Sequence, residues 1–302
     1  MTTSENKRGL LVALDGSDYS FETVRYIRNV PSFKQKQIVL FTVFTGIPSR
    51  YWDLQQEAVF RSRVTEIRAW EGQRRRESEA YMADARQKLL DAGFSEQSVE
   101  IRVHEMEKGI ARDIIAEAGK GYTALMVGKR GVNRVTGLTL GSVATKLIQK
   151  VSFLPLFLVG RDVRPGKVLI AFDGSEGCMR AVDCVGVMLK DSGYEINLAN
   201  VVRHREDEIG FIADAEHVIS AAFDEAIERL TAAGIPHSHI STQIITGAIS
   251  RAETIVREAA QGGYGTIVVG RRGLSRINEF FMGRVSNKII QLARGHAVWV
   301  VS

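Results

Sequence analysis

A frame of glycines, Gly-x-x-Gly-x9-Gly, occurs twice in this chain, each time directly behind an apolar run. The first copy is Gly128, Gly131 and Gly141, and the second is Gly270, Gly273 and Gly283. Another matched pair precedes them: Leu11-Val12-Ala13-Leu14-Asp15-Gly16-Ser17-Asp18 is answered by Leu169-Ile170-Ala171-Phe172-Asp173-Gly174-Ser175-Glu176. Two motifs repeated in the same order mean that the chain is built from two copies of one architecture. Its 302 residues leave about 150 for each copy, enough for a domain with its own core. The boundary is expected within Arg161 to Lys167, around Pro165-Gly166, giving domains at 1–162 and 163–302.

Periodicity supplies the elements. In the first half, apolar runs at Leu10 to Leu14, Ile38 to Val43, Val99 to Val103, Ala124 to Val127 and Leu154 to Val159 read as strands. Between them lie predicted helices: one capped near Ser17 with Phe21, Val24 and Ile27 at helical spacing, then Glu77 to Ala92, Ala111 to Gly119 and Ser142 to Lys150. The second half repeats the order, with strands at Val168 to Phe172, Glu195 to Val201, Ser241 to Ile245, Thr266 to Val269 and Ala297 to Val301. Strands this apolar must be covered on both faces, so each half is predicted to be a doubly wound α/β domain around a parallel sheet. One region breaks the symmetry. Phe44 to Arg76 reads as an insertion in the first half, with Phe60, Val64 and Ile67 at helical spacing and Trp52, Trp70 and Arg74-Arg75-Arg76 nearby. It suits a helix lying on its own domain with a solvated basic face, or a docking surface for a partner.

Ligands of doubly wound sheets bind beyond the carboxyl ends of the strands, where the strand order reverses. If strands one and four flank that point, Asp15 and the Gly128 loop face one crevice. Glycines at 128 and 131 let backbone amides approach an anion closely, and Gly141-Ser142 opens a helix whose first N–H groups and dipole favour a phosphate. The Ser142 hydroxyl adds a donor.

The Asp-Gly-Ser of strand one, the Gly-x-x-Gly-x9-Gly-Ser frame and the closing apolar strand together resemble the universal stress proteins, in their tandem two-domain form. The resemblance covers nearly the whole chain and implies an open five-stranded parallel sheet in each half, of the adenine nucleotide alpha hydrolase-like kind. It also implies ATP, or AMP or ADP, as ligand. Adenine would lie near Ala13, Leu14 and Asp15 with Val43 beside the base. Val127, Gly128, Arg130 and Gly131 would line ribose and phosphates, and Gly141, Ser142, Val143 and Ala144 would hold the phosphate tail. Mg2+ would be held through the phosphates, since no carboxylate cluster marks a metal site. The second half departs from the pattern because Arg284 stands where Ser or Thr is expected. A guanidinium there either pairs with phosphate or fills the site, so the pocket of Asp173, Val201, Val269, Gly270, Arg272, Gly273, Gly283, Arg284, Val285 and Ser286 is expected to be altered or weaker. The resemblance further implies pairing between closing strands, here as a pseudo-dimer of the two halves, with a homodimer or an unknown protein partner left open.

Other chemistries find no foothold in the sequence. It has no Gly-Lys-Ser/Thr of a Walker loop, no Gly-x-Gly-x-x-Gly behind a strand and no Gly-x-Ser-x-Gly elbow. Cys178 and Cys184 form neither a CxxC nor a zinc frame and read as buried, inert thiols, while His237 and His239 read as a surface turn. Asp15 and Asp18 suit a helix start better than a catalytic base, so any ATP hydrolysis is expected to be slow and the bound nucleotide to act as a signal. A net charge of +5 without a nucleic-acid signature argues against a nucleic-acid partner. The polar start and the lack of a 20-residue apolar stretch predict a cytoplasmic protein with no membrane partner.

Overall fold

The computed structural model describes residues 8–46, 58–131, 140–203, 209–273 and 282–302. In the first half the elements are β1 (Arg8–Ala13), α1 (Asp18–Arg28), β2 (Ile38–Phe44), α2 (Ala58–Asp91), β3 (Val99–Glu105), α3 (Ile110–Ala118), β4 (Tyr122–Gly128), α4 (Ser142–Lys150) and β5 (Leu156–Val159). The second half repeats them as β6 (Lys167–Ala171), α5 (Glu176–Leu189), β7 (Glu195–Arg203), α6 (Ile209–Ala232), β8 (Ile240–Ala248), α7 (Arg251–Gln261), β9 (Thr266–Gly270), α8 (Arg284–Leu292) and β10 (Ala297–Val301).

All ten strands lie in one sheet, in the order β3-β2-β1-β4-β5-β10-β9-β6-β7-β8. Every neighbouring pair runs parallel except β5 with β10. Each half is therefore doubly wound: from β1 the chain moves outward through β2 and β3, then crosses back to β4 on the other side. The two faces carry separate apolar cores. Leu10, Val12, Met126 and Phe157 point to one, covered by α1, α2, α5 and α6, while Leu11, Leu125, Val127 and Leu158 point to the other, covered by α3, α4, α7 and α8. Burial on both faces is why the strands read as unbroken apolar runs.

The closing strands meet antiparallel, pairing Val298 with Leu158, Trp299 with Phe157 and Val300 with Leu156. The pseudo-dimer expected from the sequence is thus made inside one chain, and no open edge is left at β5 or β10. Trp299 is fully buried and stacks on Phe157 with ring centroids 4.1 Å apart. Beside them Tyr26 Oη shares a 2.8 Å hydrogen bond with Thr266 Oγ1, and the Ser32 hydroxyl donates to the Met188 carbonyl at 2.6 Å, so α1 and the turn behind it are tied to the second half.

Several boundaries differ from the sequence reading. The fifth strand begins at Leu156 instead of Leu154, because Pro155 has no N–H for the ladder; its carbonyl still accepts from Leu125 N–H at 2.9 Å. The region read as an insertion followed by a helix from Glu77 is largely one helix, α2, of 34 residues, against 24 in α6. The extra turns carry the basic run: the Arg74 guanidinium lies 5.3 Å from the ring centre of Trp70, and Arg75 lies over Phe44 and pairs with Glu105. Trp52 falls outside the described residues. Among the described residues no helix is long and apolar enough to cross a membrane.

Candidate functional site

The order of strands places β1 beside β4, with Ala13 opposite Val127, so the loops that follow them open at the same carboxyl edge. This is the reversal point at which ligands of such sheets are held.

Asp15 is fixed there by its own loop. Its backbone N–H donates to Ser20 Oγ at 2.9 Å, and its Oδ1 accepts from the Ser20 hydroxyl at 2.6 Å and from Ser17 N–H at 3.1 Å. Gly16 turns the chain at φ +78°, a conformation that glycine adopts without strain, and Ser17 caps α1 by accepting from Ser20 N–H at 3.3 Å. The other carboxylate oxygen, Oδ2, lies against Gly131, where any Cβ would collide with it. Asp15 and the glycine loop therefore meet. From Gly131 the path continues to α4. Gly141 N–H donates to the Lys129 carbonyl at 2.8 Å, and a Cβ on Gly141 would stand 3.4 Å from Arg130 Cα and Gly131 N. Ser142, the first residue of α4, is exposed. The first N–H groups of a helix have no acceptor within it, so this end of α4 presents donors to the crevice.

An apolar shelf completes the first site. Ala13, Val43, Leu140 and Val143 are half-buried against the core on the α3 and α4 face. Val43 lies two residues past the Ala13–Phe41 pair and so stands level with Asp15. Leu14, Val127 and Ala144 turn their side chains into the cores and can offer only backbone to this edge. Arg130 is half-buried.

Two residues escaped the sequence reading, and Gly128, expected to let an anion approach, has a packing role as well: the direction of its missing Cβ is filled by Tyr19, whose Cβ and carbonyl oxygen would both stand at 3.0 Å. Tyr81 of α2 lies over Gly16 and edge-on to Phe21, with ring centroids 5.2 Å apart; burial raises its pKa, the Asp15 charge adds to this, and Ser20 and Gly16 act against it. Lys129 turns away from the crevice altogether. It is 1 % exposed, its ammonium donates to the Ala293 carbonyl of the other half, and burial lowers its pKa to about 7.

The second half repeats the backbone and changes the side chains. Ser175 N–H donates to Asp173 Oδ1 at 3.1 Å, Gly174 turns at φ +71°, a Cβ on Gly273 would collide with Asp173 Oδ2, and Gly283 N–H donates to the Arg271 carbonyl at 2.9 Å. Gly270 is closed off by the Gly177 backbone as Gly128 is by Tyr19. Cys178 replaces Ser20 and directs its thiol to the Ala171 carbonyl at 3.5 Å, with burial pushing its pKa up to about 12. Ala222 and Ile219 lie against Gly174 in place of Tyr81. Val201 is buried where Val43 is half-open, and its carbonyl accepts from Arg251 Nε at 3.1 Å. Val269 is buried, and Ser286 is buried with its hydroxyl on the Gly270 carbonyl at 2.8 Å. Val285 is half-buried, and Arg272 and Arg284 are exposed.

No group of three or more His, Cys, Asp or Glu is gathered for a metal ion among the described residues. A cavity of 290 Å³ lined by Leu189, Tyr194, Ile235 and His239 sits at the opposite, amino-terminal edge of β7 and β8, apart from this crevice.

A doubly wound sheet with a carboxylate, a glycine loop and a helix start at its reversal point, made twice and joined edge to edge, defines the class of protein. The universal stress protein family matches residues 8–159 and again 165–302, and the chain belongs to it in tandem form. It is 26% identical over 137 residues to the universal stress protein YxiE of Bacillus subtilis (strain 168), an alignment that covers 42% of this chain and 93% of that one. Among solved structures, a universal stress protein from Archaeoglobus fulgidus DSM 4304 matches with a TM-score of 0.64 at 20% identity, over 98% of this chain and 99% of that one. A functionally unknown protein from Pseudomonas aeruginosa PAO1 matches with a TM-score of 0.55 at 16% identity, over 98% and 92% of the two chains. At these identities the structures speak for the fold.

Proposed function

We propose that the first half binds an adenine nucleotide, ATP with ADP or AMP as the alternatives, and that the chain is a cytoplasmic nucleotide-responsive module with domains at 1–162 and 163–302. The observation that carries this reading is the meeting of Asp15, Gly131 and the start of α4 at one edge of the sheet. The base rests on the half-open shelf of Ala13, Val43 and Val143 beside Asp15, and the phosphates lie along Gly131, Gly141 and Ser142. Mg2+ is held through the phosphates. The second half, with Arg251 on the Val201 carbonyl and Arg284 at the helix start, binds the same ligand weakly or not at all.

The acidic groups support a switch over a catalyst. Asp15 Oδ1 is held by two donors, and Asp18 faces Arg161 at 3.3 Å, so both act as struts of the α1 start. Isothermal titration of the full chain with ATP is expected to give one site per chain. Affinity that stays unchanged in both Gly131→Val and Ser142→Ala would refute this pocket. Sustained phosphate release, lost in an Arg130→Ala variant that still binds ATP, would instead favour a slow ATPase or phosphotransferase.

A further inference from the structure

The residue behind the first glycine of each frame is a buried cation whose side chain leaves its own half. Lys129 crosses the seam to the carbonyl of Ala293, the residue that closes α8. Arg271 crosses in the other direction, with Nη1 on the carbonyl of Val151 at 2.8 Å and Nη2 on that of Ile148 at 2.6 Å, at the closing turn of α4. The two contacts are symmetric in role, since Val151 and Ala293 are the C-cap residues of equivalent helices. A long side chain that ends in N–H donors suits this place because the last carbonyls of a helix lack intrahelical donors and carry the negative end of its dipole.

The same two residues also hold the other ends of these helices. The Lys129 carbonyl accepts from Gly141 N–H, at the start of α4, and the Arg271 carbonyl accepts from Gly283 N–H, at the start of α8. The bonds close a ring. Lys129 holds the start of α4 and the end of α8, while Arg271 holds the start of α8 and the end of α4. Neither helix can slide or tilt at its phosphate-facing end without moving a residue that grips the other helix. Both links are buried, where hydrogen bonds to charged groups are strong and costly to leave unmade.

We propose that Lys129 and Arg271 are positioning residues that act across the seam: each sets the helix of the opposite half, so that the starts of α4 and α8 move as a coupled pair. An anion captured at the start of α4 therefore changes the start of α8 even where the second half binds nothing. This last statement rests on the nucleotide reading of the first half; the coupling itself does not.

Hydrogen exchange read by mass spectrometry on the full chain tests both. In ligand-free protein, Arg271→Met strips the end of α4, and exchange is expected to rise roughly ten- to hundredfold, from the strength of a charged hydrogen bond, in its last turn and also at Gly141 and Thr145, whose N–H groups bond the Lys129 and Gly141 carbonyls. Arg271→Lys is expected to restore most of the protection at both ends. The reciprocal variant Lys129→Met, read at Gly283 and Asn287, which bond the Arg271 and Gly283 carbonyls, serves if Arg271→Met does not fold. Loosening confined to the last turn of the capped helix, in either variant, would overturn the coupling and leave a local cap only. In a second arm ATP is added to the wild type, and slower exchange at Ser142 to Thr145 is expected together with a change at Gly283 and Asn287. ATP binding that leaves Gly283 and Asn287 unmoved also overturns the coupling. Absence of any ATP heat refutes the nucleotide reading, while the ligand-free arm still decides the coupling.

Discussion

The two halves share a backbone and differ in what they put on it. In both, a glycine lets the carboxylate of strand one lie against the loop, another lets the first helix of the half approach its fourth strand, and a third is bonded to the carbonyl behind that strand. These contacts are demanded by packing within the half, which explains why the glycine frame persists in the copy whose helix starts with Arg284. The side chains around the crevice have no such duty. Ser20, Tyr81, Val43 and Ser142 in the first half give way to Cys178, Ala222, buried Val201 with Arg251, and Arg284 in the second. A repeated frame therefore reports the fold, and the residues hung on it report the ligand.

The sharpest break in the symmetry is electrostatic, since the first cross-seam cation can lose its proton and the second cannot. Burial lowers Lys129 from 10.5 to about 7, so in the pH range above 7 the unfolded chain holds a proton that the folded chain has released. Stability linked to this group is then greatest above pH 10.5 and is lost as pH falls to about 7, with a slope of roughly 1.4 kcal/mol per pH unit. His296, which burial and the charges of Lys129 and Arg164 push down to about 4, is already neutral in that range. Cys178 and Cys184, pushed up to about 12 by burial, act with the opposite sign from about pH 9. The clean window is thus pH 7 to 9. Urea unfolding across it is expected to show wild-type stability rising relative to Lys129→Met, and parallel profiles would deny Lys129 its buried place.

Next in size is the contrast between matched glycines. Gly131→Val forces a side chain into Asp15 and is expected to weaken ATP binding about 100-fold, whereas Gly273→Val, with the same clash against Asp173, should leave ATP affinity within about twofold. Equal losses by titration would mean that both halves bind. Smaller again is Ser20→Ala, which removes both a donor to Asp15 Oδ1 and an acceptor for its N–H, and is expected to cost about 1 to 2 kcal/mol in denaturant unfolding. Cys178→Ala, lacking such bonds to Asp173, should cost less. Ser142→Ala is expected to lower ATP affinity only about fivefold, the worth of one hydrogen bond, with no loss of thermal stability because the hydroxyl is exposed.

Much of this was legible in the sequence. Alternating apolar runs pointed to doubly wound halves, and the apolar closing runs Leu154 to Val159 and Ala297 to Val301 pointed to the seam, although the first of these strands starts only at Leu156. The meeting of Asp15 with the glycine loop followed from repeat spacing once β1 and β4 were taken as neighbours. What stayed hidden were destinations of side chains. Lys129 and Arg271 sit beside phosphate-type glycines, where a cation reads as an anion ligand, and only the antiparallel seam brings the far ends of α8 and α4 within their reach. Tyr81 carries no local signal, since an aromatic on the inner face of a helix looks the same whether it fills a core or covers a loop. The length of α2 was missed because its polar, arginine-rich middle lacks the apolar stripe by which a helix is traced.

The proposed capture of a nucleotide by the first half, between Asp15 and the start of α4, is best tried by a crystal structure of the full chain grown with ATP and Mg2+. The phosphate tail is expected on Gly131, Gly141 and Ser142, with the base beside Asp15 and Val43. Nucleotide seated only in the second half, or a first crevice left without it under saturating ATP, would refute that capture.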